Sequence, residues 1–388
     1  MEILLPGYVQ ELLHRLQVAN HEAYIVGGCV RDSLLGRTPH DWDMTTSALP
    51  EQIKSALSGV RILDTGIQHG TVTALTDQGE VEITTYRVDG TYSDGRRPDS
   101  VSFTRSLRED LARRDFTINA LAYAPNVGVV DLFGGREDLQ AGQIRCVGQP
   151  EQRFGEDALR IIRGLRFAAT LGFSIEEKTA AAIRSLAPTL QRIAVERLQA
   201  ELSRLLCAHP DPLLAAYPEV FQQLFRQPMQ FLPVEGVAAR LHLRLARLLA
   251  PLCAEDADAA LEYLRYDNAT RRAVRRLLAY QKTPLPPERP ALRRLRGALG
   301  SELAGDLLLL RQDLGEDMQL QQALLQKILA DGDCCTIGEL AVNGEDLLAA
   351  GIPAGKQLGN TLQWLLEQVI TDALPNQRSC LLQAFRSA

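Results

Sequence analysis

The chain has 388 residues, 46 % of them hydrophobic and 23 % charged, with a formal net charge of −6. This is an ordinary globular balance, long enough for two or three domains and a sizeable buried core. With no run of about 18 apolar residues, no membrane span is expected. The acidic total does not advertise nucleic-acid binding, although arginines cluster locally.

The amino-terminal stretch lacks the basic-then-apolar order of a secretion signal and reads as the first amphipathic helix of a cytosolic protein. Seven cysteines, at 29, 146, 207, 253, 334, 335 and 380, are odd in number and irregular in spacing. Reduced thiols in a cytosol are the simplest account. Helices are predicted over 6–18, 29–36 and 49–58. Alternating apolar residues bounded by glycine, asparagine or aspartate predict strands over 72–76, 81–88, 100–104 and 128–133. From about residue 150 onward the spacing is helical, most clearly over 156–173 and 178–208. Pro284–Pro290 reads as a linker or kink between helical parts. The pattern is that of an α+β head followed by an all-helical remainder.

Residues 24–26 read as a buried strand ending at Gly27-Gly28, with a helix following. A glycine turn feeding a helix start suits a phosphate chain, and equally a plain tight turn. Asp41-Trp42-Asp43 places two carboxylates on one face of a strand. Such a pair repels unless a cation lies between, and hard oxygen ligands suit Mg²⁺. A polar turn is the alternative. Glu82 lies on the strand face opposite Val81 and Ile83, as a solvated residue or as a third carboxylate of the same site. Arg113, Arg114, Asp115 and Asn119 by themselves read as a surface ion cluster. Glu156, Asp157 and Arg160 have the i,i+3 and i,i+4 spacing of a stabilised exposed helix.

Taken in order, residues 27–32, 41–43, 111–123, 131–139, 153–173 and 193–202 resemble the class II tRNA nucleotidyltransferase and bacterial poly(A) polymerase family. The tail over 343–376 resembles that of the bacterial CCA-adding members. The resemblance implies a five-stranded polymerase-β-like head with a mixed sheet (1–139), then helical neck (140–205), body (206–330) and tRNA-binding tail (331–388). It implies catalysis by Asp41, Asp43 and Glu82, with Mg²⁺ on Asp41 and Asp43. It assigns nucleotide binding to Gly27, Gly28, Arg31, Arg114, Asp115, Asn119, Asp157, Arg160 and Arg163.

The resemblance also makes Glu156, Asp157 and Arg160 a protein template for the base. A carboxylate accepting from an amino group, beside a guanidinium donating to a ring nitrogen, satisfies cytosine and adenine but not uracil or guanine. Asp131 resembles a head-to-neck hinge, with a strand-ending turn as the bland alternative. The stretch 87–103, with Asp94, Arg96, Arg97 and Asp99, resembles the flexible loop of enzymes that add the whole CCA. Glu196, Arg197 and Glu201 are expected to support neighbouring elements.

Nine arginines between 265 and 296 suit either tRNA phosphates or a solvated helix face. The expected activity is therefore template-independent addition and repair of the tRNA 3′-CCA from CTP and ATP. Poly(A) polymerase, CC-only addition and a non-catalytic tRNA-binding protein are the alternatives.

Overall fold

The computed structural model describes residues 2–90, 100–226 and 229–386, and the loop residues Asp94, Arg96, Arg97 and Asp99 lie outside them. The chain divides into two compact units, 1–231 and 232–388.

The first unit opens with α1 (Gly7–Val18), whose face of Val9, Leu12, Leu13 and Leu16 is buried. Then come β1 (Ala23–Val26), α2 (Gly28–Leu34), β2 (Trp42–Thr46), α3 (Pro50–Ala56), β3 (Arg61–Gly66), β4 (Thr71–Thr76) and β5 (Gly79–Thr85). A separate hairpin of β6 (Arg87–Asp89) and β7 (Val101–Phe103) precedes α4 (Leu107–Ala112). The strands β8 (Leu121–Ala124) and β9 (Gly128–Asp131) complete a seven-stranded sheet ordered β3-β4-β5-β2-β1-β8-β9.

The sheet is mixed, because β2 pairs parallel with β5 while its other pairings are antiparallel. The expectation of five strands is thus corrected to seven. β3 and β8 add themselves through backbone pairing without a clean apolar alternation; β8 is buried at all four positions. The expected strand over 81–88 breaks in two at Tyr86, whose N–H turns to the Thr46 carbonyl at 2.7 Å.

Beyond the sheet lie α5 (Gly135–Ala141), β10 (Gln143–Ile144), α6 (Pro150–Glu156), α7 (Leu159–Leu171) and β11 (Ser174–Ile175). They are followed by α8 (Glu177–Leu186), α9 (Val195–Leu206), α10 (Asp211–Ala216) and α11 (Pro218–Phe225). Buried Leu198, Leu202, Leu205 and Leu206 give α9 a continuous apolar stripe, which packs on α7.

The second unit is helical: α12 (Leu241–Leu249), α13 (Ala254–Tyr263), α14 (Asn268–Tyr280), α15 (Arg289–Leu299), α16 (Ser301–Asp313), α17 (Gln319–Asp331), α18 (Gly344–Ala349), α19 (Lys356–Ile370) and α20 (Arg378–Arg386). The proline-rich stretch links α14 to α15 and ends inside the first turn of α15, where Pro290 is tolerated because those N–H groups have no partner within the helix.

Candidate active site

The parallel pairing of β2 with β5 sets Asp43 directly opposite Glu82. Registered neighbours point to the same face, so Asp43 and exposed Glu82 leave the sheet together while Val81 and Ile83 are buried on the other side. Asp41 sits exposed one residue before β2. Burial, then the charge of Glu82 and that of Asp41, push the Asp43 carboxyl up to about 6, with Arg114 opposing. This concentration of negative charge is what a divalent cation would offset, so the donor set fits one.

Among the described residues, the one His, Cys, Asp or Glu group whose ligand atoms all lie within 4.8 Å of one another is His242, Glu302 and Asp306, in the second unit. Arg240 pairs with both acids there, so that cluster is already compensated.

Gly27 turns β1 into α2 at φ +85, a conformation that favours glycine. A Cβ at this position would stand 3.1 Å from Arg114 Nη1. Arg114 therefore lies against the turn and close enough to Asp43 for their charges to interact. Its Nε has no hydrogen-bond acceptor, which leaves a buried donor available to a phosphate oxygen. Asp110, fully buried on α4, organises this corner: it accepts from Arg113 Nη2 at 2.8 Å and from the Thr45 hydroxyl at 3.0 Å, and lies 3.7 Å from Arg114 Nη2. Asp110 was missed in the sequence, although its i+3 and i+4 spacing to the two arginines was a usable signal.

Asp115 and Asn119 sit behind Arg31. Arg31 Nη1 donates to Asn119 Oδ1 at 2.7 Å, and Asn119 Nδ2 donates to Asp115 Oδ1 at 3.1 Å. Asp115 Oδ1 also accepts from the Phe116 N–H at 2.8 Å, while Oδ2 takes Arg163 Nε at 2.9 Å and Nη2 at 2.6 Å. Burial alone would raise the Asp115 carboxyl; Arg163 and Asn119 outweigh it and bring it to about 2. Four donors occupy the carboxylate, so a ribose hydroxyl would have to displace one of them. Phe167 lies beneath the guanidinium groups of Arg31, Arg163 and Arg166, at 5.1, 5.3 and 3.8 Å. Glu201 on α9 accepts from Arg166 Nε at 2.5 Å and Arg163 Nη1 at 3.4 Å, the expected supporting role.

One expectation about Glu156, Asp157 and Arg160 holds and another is corrected. Glu156 pairs with Arg160 at 2.6 Å, four residues on. Asp157, however, is not helical: its backbone is extended (φ −143, ψ 104) between α6 and α7. Its side chain accepts from the Leu159 N–H at 3.0 Å, a capping bond that starts α7, and pairs with Arg197 instead of Arg160. Propensity did not reveal the break, because the capping aspartate lies inside an uninterrupted apolar period. Arg160 is anchored by the carbonyls of Arg153 (2.9 Å) and Arg113 (3.0 Å).

Asp131 ends β9 and accepts from the N–H groups of Phe133, Gly135 and Arg136 at 2.9–3.2 Å. It thereby satisfies the first N–H groups of α5 from the end of β9.

Of the nine arginines in 265–296, Arg271 pairs with Asp258, Arg289 and Arg293 with Asp333, Arg294 with Glu367 and Arg296 with Glu339. Arg272, Arg275 and Arg276 on α14 have no ion pair among the described residues, and the first two are exposed.

Comparison with known proteins decides the family. The Poly A polymerase head domain matches residues 23–145, and putative tRNA nucleotidyltransferase domain 2 matches residues 245–385. The probable RNA and SrmB-binding site of polymerase A matches residues 172–214. The CCA-adding enzyme of Limosilactobacillus fermentum is 40 % identical over 96 % of this chain and 94 % of its own length. The chain belongs to the CCA-adding enzyme family. The Levilactobacillus brevis member is 39 % identical over 96 % of each chain. The crystal structure of the Bacillus stearothermophilus CCA-adding enzyme in complex with CTP superposes with a TM-score of 0.79 at 31 % identity, covering 99 % of both chains.

Proposed function

We propose that this protein adds and repairs the 3′-terminal CCA of tRNA from CTP and ATP, without a nucleic-acid template. The observation that carries the reading is the registered pair Asp43 and Glu82, beside Asp41 and close enough to Arg114, whose Nε has no acceptor, for the charges to interact. Family membership supports the substrate class.

In this reading the tRNA 3′-oxygen bonds to the α-phosphorus, the α–β phosphoanhydride bond breaks, and pyrophosphate leaves. Asp41 and Asp43 hold Mg²⁺, which when bound supplies Lewis-acid activation and charge compensation at the triphosphate. In this reading Glu82, exposed beside Asp43, takes the hydroxyl proton. Arg114 and the Gly27-Gly28 turn hold phosphate oxygens, and Arg31, Asn119, Asp115 and Arg163 form the sugar-side wall. Asp157 and Arg160 select the base, with Glu156 fixing Arg160. Asp131 acts as the head-to-neck hinge, and head (1–139), neck (140–205), body (206–330) and tail (331–388) follow in order. Arg272, Arg275 and Arg276, without an ion pair among the described residues, meet tRNA phosphates. Among the described residues no helix is long and apolar enough to cross a membrane, and no disulfide joins any of the cysteines. The reading places the protein in the cytoplasm, with its tRNA substrate.

The test is sequencing of the product after incubation with Mg²⁺, CTP, ATP and tRNA lacking its three terminal nucleotides. A product ending in CCA and stopping there is expected. Termination at CC, a run of adenosines, or tRNA retention without pyrophosphate release would replace the reading with CC-only addition, poly(A) synthesis or a binding protein respectively.

A further inference from the structure

Asp157 is gripped from outside the motif that contains it. Arg197 on α9 donates from Nη2 to Asp157 Oδ2 at 2.7 Å and from Nη1 to Oδ1 at 3.3 Å. The Leu159 N–H takes the other position on Oδ1 at 3.0 Å. The Arg197 and Asp157 side chains are 25 % and 13 % exposed, too enclosed for an ordinary surface pair. The extended backbone at Asp157 gives the carboxylate no helical face to hold it, so its orientation depends on these three donors.

We propose that Arg197 is a specificity-determining positioning residue, which holds Asp157 as a fixed acceptor for the amino group of the incoming base. The inference rests on the reading that Asp157 and Arg160 select the base. Oδ1 is filled by two donors, and Oδ2 is left with one open lone pair of fixed direction. The amino group of cytosine or adenine can donate to it. The carbonyl of uracil or guanine brings acceptor against acceptor, and the mismatch is left unpaired. A carboxylate released from the fork can turn away and admit a water that donates to the carbonyl, so the penalty against uracil falls. Arg160 is anchored separately on Glu156 and two carbonyls, so loss of Arg197 leaves the other half of the template standing.

The experiment measures kcat/KM for CTP and for UTP on tRNA lacking its CCA end, using full-length wild type, Arg197→Ala, Arg197→Lys and Asp157→Ala. The expected result is a CTP-to-UTP preference reduced about tenfold or more in Arg197→Ala, the scale of losing one buried polar discriminator. Arg197→Lys, which restores the charge but not the fork, should recover part of it. If CTP and UTP fall by a common factor and the preference is unchanged, Arg197 merely ties α9 to the α6–α7 junction and the proposal fails. Should Arg197→Ala not fold, the preference of Arg197→Lys decides alone, since an unaltered ratio there overturns the role of the fork. Asp157→Ala retaining full preference would instead overturn the underlying reading.

Discussion

Asp43 and Glu82 stand opposite each other on two parallel strands, and the charge of one raises the carboxyl of the other. Two acids held side by side by backbone register destabilise the resting fold and are suited to a cation. Asp43→Asn is therefore expected to separate activity from stability. Nucleotide addition should fall by about a thousandfold or more, the scale of losing a charge felt at the reacting phosphate. The melting temperature without metal should stay level or rise. Pyrophosphate release and thermal melting, run on the same preparation, check both halves.

Asp115 gives a pH prediction of defined sign. Its folded value of about 2 lies below the ordinary 3.8, so its contribution is present above about pH 4 and is lost as pH falls toward 2. Asp115→Asn should cost about 2 kcal/mol near neutrality. In denaturant titrations the gap from wild type should hold from pH 7 to pH 5 and narrow below pH 4. A gap that widens on acidification would contradict the assignment to Arg163.

The second unit depends on a close backbone approach. A Cβ on Gly297 of α15 would lie 2.1 Å from the Cys335 carbonyl oxygen, a contact that cannot be relieved by rotating a side chain. Gly297→Ala is expected to cost about 1–3 kcal/mol despite alanine's better helix propensity. Gly305→Ala on α16, with open space around it, serves as the control. Chemical denaturation of the two variants should rank them in that order.

The arginines divide into two experimental classes. Replacing Arg272, Arg275 and Arg276 together by glutamine should leave the melting temperature nearly unchanged. It should weaken tRNA binding and make the slope of log affinity against log salt about 2–3 less negative. Arg293→Ala should instead destabilise by about 1–3 kcal/mol, because it leaves the buried carbonyls of Val369 and Ile370 without their donor, while half-buried Asp333 keeps Arg289.

Much of this organisation was legible in the sequence. Periodicity located α1, α2, α3 and the strands around 72–85 and 128–131, because one face of each is buried. Register was not legible: that Asp43 faces Glu82 depends on a parallel pairing between strands about forty residues apart, which no local pattern specifies. The same holds for Asp110, whose importance comes from three partners arriving from β2 and the end of α4. The break at Asp157 was hidden because apolar spacing continues across it. Among the arginines, composition suggested one basic face, whereas tertiary pairing removed most of it by bringing Asp258, Asp333, Glu339 and Glu367 alongside.

The ring of Phe167 carries a consequence for how substrates arrive. Arg31, Arg163 and Arg166 gather over it, and Asp32, Asp115 and Glu201 are their partners, so the six formal charges of this knot cancel. Seen from beyond a Debye length, a protein of net charge −6 offers a nucleotide triphosphate no attraction. The field that matters to a nucleotide is therefore short-ranged, felt only after it has entered the site. Ionic strength should accordingly govern how fast the large RNA partner is captured, and have little influence on how tightly CTP or ATP is held.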